Sequence, residues 1–192
     1  MSRGYWITDA KAIRLLGSPL RQTMIDRIVS GGPTSVAQLA GSLNRPADRL
    51  YYHIKLLVRA GLLVERAANG GRAEAEYDVP GRPMLLDYGS TAGKQRRAVA
   101  RVVDALMRSA QRDFRRSVSE KSLRVEGPRR ELWSGRAEGL LSPADLAALN
   151  KHLHAAVMVL LRAKHARASR QASQGSAPRK RYQLTWSLSP SG

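Results

Sequence analysis

Apolar positions in the first eighty residues recur at three- and four-residue spacing in four short bursts, the signature of short amphipathic helices. Thr8 or Asp9 can cap a first helix through Ile13, Leu15 and Leu16 that ends at Gly17. Ser18-Pro19 restarts the chain, with proline at the first helical position and Leu20, Met24, Ile25 and Ile28 on one face; Gly31-Gly32-Pro33 stops it. Ser35 with Gln38 makes a capping-box pattern for a helix through Val36, Leu39 and Ala40. After the turn GSLNR, Pro46 opens a fourth helix, expected over residues 46–60, and Gly61 ends it.

The period then changes. In residues 62–79 Ala73, Ala75, Tyr77 and Val79 alternate with Glu74, Glu76 and Asp78, and Asn69-Gly70 is a strong hairpin-turn signal, so a two-stranded wing is expected. PGRPM breaks the pattern and reads as a linker, 81–93. Residues 94–118 form a long amphipathic helix with Val99, Val102, Val103, Leu106, Ala110 and Phe114 along one stripe. Ser142-Pro143 with Asp145 starts a second long helix carrying Leu146, Leu149, Leu153, Val157 and Leu160. Residues 169–180 are small and polar and read as a loose loop. In the tail, Tyr182, Leu184, Trp186 and Leu188 alternate with polar residues, which predicts a late strand paired with residues 132–141. The expected class is mainly α (α+β). A helical reading head over 1–80 precedes a long-helix domain over 94–192 with a small C-terminal β element.

Charge narrows the partner. The 192 residues carry 33 Lys and Arg against 15 Asp and Glu, a formal +18. Such an excess points to an acidic polymer, of which nucleic acid is the commonest. No apolar run is long enough to span a bilayer and the N-terminus lacks a signal-peptide core, so a cytoplasmic protein with no membrane partner is expected. Cysteine is absent, which excludes disulfides, thiolate metal sites and cysteine nucleophiles.

The stretch RPADRLYYHIKLLVRAGLL, residues 45–63, concentrates this charge. At 100° per residue, Leu50, Ile54, Leu57 and Val58 fall on one side, and Arg45, Asp48, Arg49, Tyr52, Lys55 and Arg59 on the other, with Tyr51 at the margin. The first row can bury itself on the preceding helix. The second offers donors, charges and amphipathic rings suited to a major groove: Arg can bond guanine bidentately, Tyr can bond phosphate or pack on a thymine methyl, and Lys can neutralise a phosphate. A solvated face is the bland alternative, but two adjacent exposed tyrosines are poor solubilising residues. Asp48 repels phosphate; it suits cytosine N4 or an intrahelical pair with Arg45 or Tyr52. His53, at the edge of the aliphatic side, reads as a core or capping histidine, with base reading as the alternative. Thr34, Ser35 and Gln38 at the start of the preceding helix would meet phosphate. On the wing, Arg66, Asn69 and Arg72 would reach flanking backbone or minor groove.

Residues 18–79, from SPLR through VAQLAGSL and YYHIKLLVRAGLL to the wing, resemble the winged helix-turn-helix of ArsR-type bacterial transcriptional regulators. The resemblance implies a homodimeric operator-binding protein, by default a repressor released by a ligand, with the helix after the wing as its dimerisation helix. It covers about a third of the chain. The metalloid-sensing members of that family use cysteines; this chain has none, so DNA binding transfers and the inducer does not.

The remaining chemistry is thinner. His152 and His154 point about 160° apart on one helix, and His154 and His165 lie about 16 Å apart along it, so one helix cannot co-ligate them; no metal and no cofactor are expected. Arg101, Arg108, Arg112 and Arg115 face away from the long helix's apolar stripe. They read as solvated, with contact to flanking DNA or an acidic effector as the alternative. Trp133, Arg136, Tyr182 and Trp186 could line a small-molecule effector pocket, although aromatics on an alternating strand are more often core. There is no nucleophile elbow, phosphate loop or HExxH, so no enzyme is expected. The rival to an operator-specific regulator is a basic protein that binds nucleic acid by charge alone; a winged helix turned to protein binding should lack basic wing residues.

Overall fold

The computed structural model describes residues 4–67, 74–89, 93–120, 122–168 and 180–190. The elements run β1 (Tyr5–Ile7), α1 (Ala10–Leu15), α2 (Pro19–Gly31), β2 (Thr34–Ser35), α3 (Val36–Leu43), α4 (Asp48–Arg59), β3 (Val64–Arg66), β4 (Glu76–Asp78), β5 (Met84–Leu86), α5 (Gly93–Val118) and α6 (Pro143–Ala168). The class is α+β, as expected. The chain divides into two compact units, 1–109 and 110–192.

In the first unit α1, α2 and α3 start where the sequence predicts, whereas α4 starts at Asp48, two residues after the expected Pro46. The Asp9 carboxylate accepts from the Ala12 N–H at 2.8 Å, and Pro19 opens α2. In α3 the capping box is complete: the Gln38 N–H donates to Ser35 Oγ at 3.3 Å and the Ser35 N–H donates to Gln38 Oε1 at 3.2 Å. Asn44, in the left-handed region at φ 51°, closes α3 and turns the chain into α4 within four residues. Four helices then share one core, built on Ile13, Met24, Ile28, Leu39, Leu50, Ile54 and Leu57 with Leu62 and Leu63.

Two small sheets complete the unit. Antiparallel β2-β4-β3 pairs Thr34 with Tyr77 and Glu65 with Tyr77, so the wing hairpin is stitched to the entry of α3. Parallel β1-β5 pairs Tyr5 with Met84 and Ile7 with Leu86. The stretch expected as a linker therefore carries a strand, and α5 continues the packing by burying Gln95, Ala98, Val102 and Ala105. The Gln22 side-chain amide on α2 donates to the Val102 carbonyl at 3.4 Å. Three-residue strands such as YWI and MLL are too short to show a period, which is why the sequence placed the boundary at 81–93 and the compact unit runs to 109.

The wing departs from simple alternation at Asp78. This residue was expected outward, yet it is 2% exposed. Its carboxylate takes the guanidinium of Arg66 at 2.8 Å and that of Arg82, which also donates to the Ile28 and Val29 carbonyls at the end of α2. Burial pushes the Asp78 carboxyl up; the Arg82 hydrogen bond, the Val79 N–H and the two guanidinium charges outweigh it and hold the group below the usual carboxylate range.

The second unit is organised differently. No described residue in it is buried. The start of α6 is capped as predicted, with the Asp145 carboxylate accepting from the Ser142 N–H at 3.0 Å. The tail forms no strand among residues 180–190 and is fastened through side chains to Glu131 instead. That carboxylate accepts from the Arg124 N–H at 3.0 Å, Tyr182 Oη at 2.6 Å and Lys180 Nζ at 2.9 Å, which together pull it down to about 2. Alternation predicted a ladder; hydrogen bonds from side chains replaced it.

Candidate nucleic-acid interface

The α4 helix divides as its sequence demands. Leu50, Ile54 and Leu57 are 0–1% exposed and Val58 packs at the edge of the core. Arg45, Asp48, Arg49, Tyr51, Tyr52, Lys55 and Arg59 are all exposed. The helix begins at Asp48, two residues after Pro46, and Ala47 at its cap supplies no side-chain oxygen. Its first turn therefore presents backbone N–H groups and a positive dipole end, with Asp48 as the nearby acid.

The two tyrosines have different neighbours. Tyr51 reaches the wing, its hydroxyl donating to Glu74 Oε1 at 3.2 Å, and that hydrogen bond raises the phenol above its ordinary range. Tyr52 is 65% exposed and meets the His53 ring edge-on at 5.5 Å between centroids. His53 is half-buried, and its buried Nδ1 has no hydrogen-bond partner among the described residues. Burial lowers its affinity for a proton, and the charges of Arg21 and Arg45 lower it further. Arg21, on α2, is a neighbour that sequence reasoning missed; its position two helices before α4 gave no signal.

At the entry to α3 the expected trio is held by internal bonds. Ser35 is 8% exposed and its hydroxyl caps the helix, while Thr34 Oγ1 donates to Gln38 Oε1 at 3.1 Å. The Gln38 amide nitrogen remains the exposed donor of the three. On the wing, Arg66 is paired with Asp78 rather than free for phosphate: its register partner is Glu76, and its guanidinium reaches diagonally to Asp78, which lies opposite Val64. Asn69 and Arg72 lie outside the described residues.

The other expected sites are dispersed. On α5, Val102 is 2% exposed and serves the chain's own core, joined by Val99 and Leu106 at its edge; Val103, Ala110 and Phe114 are partly exposed. Trp133, 77% exposed, carries the Arg130 guanidinium 4.8 Å above its ring, and Arg136 pairs with Glu138 at 3.6 Å. Tyr182 and Trp186 are also exposed, so these four stand on the surface rather than around a cavity. Among the described residues no group of three His, Asp or Glu could hold a metal ion, and no helix is long and apolar enough to cross a membrane.

The model of one family, described as a helix-turn-helix domain, matches residues 16–66, from the C-cap of α1 through β3. The chain thus carries a helix-turn-helix, the module of DNA-binding regulators, with α3 and α4 as its two helices. A comparison with curated proteins gave no match.

Proposed function

We propose that this protein is a sequence-specific, dimeric transcriptional regulator of the ArsR type, acting as a repressor, with α4 in the major groove of its operator. The observation that carries the reading is the split of α4: a fully buried aliphatic row fixes the helix, and Arg45, Arg49, Tyr51, Tyr52 and Lys55 stand outward on it. Arg49 reads a guanine, the two phenols and Lys55 meet phosphates or thymine methyls, and Gln38 with the α3 N-terminus holds the backbone. The wing lies on flanking DNA, with Arg66 serving the wing's own fold and Asn69 and Arg72 making the contact. The partly exposed row of Val103, Ala110 and Phe114 on α5 joins two copies and sets the heads about 34 Å apart, one turn of duplex. An effector, where one acts, works by favouring a dimer geometry with the wrong spacing.

Selection of bound fragments from a random duplex pool tests this reading. A regulator enriches one motif and prefers it to random duplex by about 10³ or more at physiological salt. The formal +18 supports charge-only binding as a second reading, in which no motif emerges and affinity tracks salt alone.

A further inference from the structure

The α5 helix holds eight Lys and Arg against two Asp in 26 residues, a third of the net charge of the chain. Six of the eight, Lys94, Arg97, Arg101, Arg108, Arg112 and Arg115, project within an arc of about 60° at 100° per residue. All six are exposed, and among the described residues none of them makes an ion pair. The helix has three faces. Gln95, Ala98, Val102 and Ala105 face the core, and the row through Val99, Val103 and Ala110 lies about 180° from the basic one. Neither packing on the core nor a second copy on the apolar row would cover the stripe.

We propose that this stripe is a second DNA surface, which follows the phosphate backbone of a duplex without reading its sequence. At 1.5 Å per residue it spans about 32 Å, close to one turn of duplex at about 34 Å. Its groups donate hydrogen bonds and accept none, which matches the acceptor-only phosphate oxygens and not the mixed edges of bases. A helix face that is merely solvated intersperses its charges. Here Lys94 and Arg97, Arg97 and Arg101, Arg108 and Arg112, and Arg112 and Arg115 are like-charged neighbours at three or four residues, each destabilising the helix until a polyanion lies along it. Only Asp104 interrupts, at the margin. The choice of duplex as the polyanion rests on the helix-turn-helix reading; the stripe itself does not.

The test is a salt titration of binding to a random-sequence duplex by the full chain. Replacing Arg97, Arg101, Arg108, Arg112 and Arg115 with Gln, which keeps helix propensity, is expected to lower the slope of log K against log salt by about 4. The pairs R97Q/R101Q and R112Q/R115Q should each lower it by about 2, and they serve if the fivefold variant does not fold. A change under about 0.5 in the pairs overturns the proposal, as does a loss confined to RNA. R49A/K55A separates the two surfaces: it removes motif preference if α4 reads bases, whereas the stripe substitutions lower the slope equally in that background and leave motif preference alone.

Discussion

Residues 1–109 and 110–192 obey the same sequence rules and end in different states. In the first, the apolar rows of α1 to α4 pack on one another inside the chain, and Ile13, Met24, Ile28, Leu50 and Leu57 are shut off from solvent. In the second, α6 repeats Leu146, Leu149, Leu153, Val157 and Leu160 at helical spacing, yet each of them remains at least partly exposed. A periodic pattern therefore states that a face is made for burial and leaves open what buries it. Two carboxylates, one in each unit, differ in the same way: Asp78 is enclosed between two arginines and the end of α2, whereas Glu131 ties a surface loop to the tail.

The sharpest break between the units is in stability. Leu57→Ala should cost about 2–5 kcal/mol, because it empties a closed site, while Leu153→Ala in dilute protein should cost under about 1 kcal/mol. Urea unfolding measures both; equal losses would abolish the distinction. Next in size is Asp78→Asn, expected to cost about 1–3 kcal/mol after discounting for the solvent reach of Arg66 and Arg82. Because the folded Asp78 value is held down, its contribution is full above the unfolded value near 4 and is lost as pH falls through the folded one. The variant should show a flatter acid limb in its stability profile.

Arg49→Ala should act on function alone. Unfolding stays within about 0.5 kcal/mol of the parent, and operator binding weakens by about 1–3 kcal/mol with relaxed base preference. Matched losses on operator and random duplex would remove base reading from this residue. The smallest effect concerns the link between wing and helix. In Glu74→Gln the Tyr51 phenol should titrate closer to its ordinary value, read by NMR of the ring carbon, and an unmoved titration would show that the Glu74 hydrogen bond does not form in solution.

Much of the first unit was legible because its signals are local. Caps at Asp9 and Ser35, proline at 19 and the aliphatic row of α4 each act within a turn of helix, and each stands where the residues put it. The missed features are long-range. Arg82 lay in an apparent linker, and nothing nearby foretold that it would span from β4 to the carbonyls of α2. The same holds for β1 and β5, whose pairing joins residues 79 apart, Tyr5 to Met84 and Ile7 to Leu86. Asp78 alternated correctly as a strand residue but took the buried side, since two guanidinium groups made burial tolerable there. The tail alternated as a strand does, yet Glu131 offered it side-chain bonds and no free edge.

The central claim is that the outward face of α4 enters the major groove. Guanine N7 lies in that groove, so its protection from methylation by dimethyl sulfate in the bound complex tests the claim most directly. The account predicts N7 protection at one or two guanines per half-site, lost in Arg49→Ala while the complex still forms at low salt. Unprotected N7 throughout the bound site, or protection that survives Arg49→Ala unchanged, would contradict it.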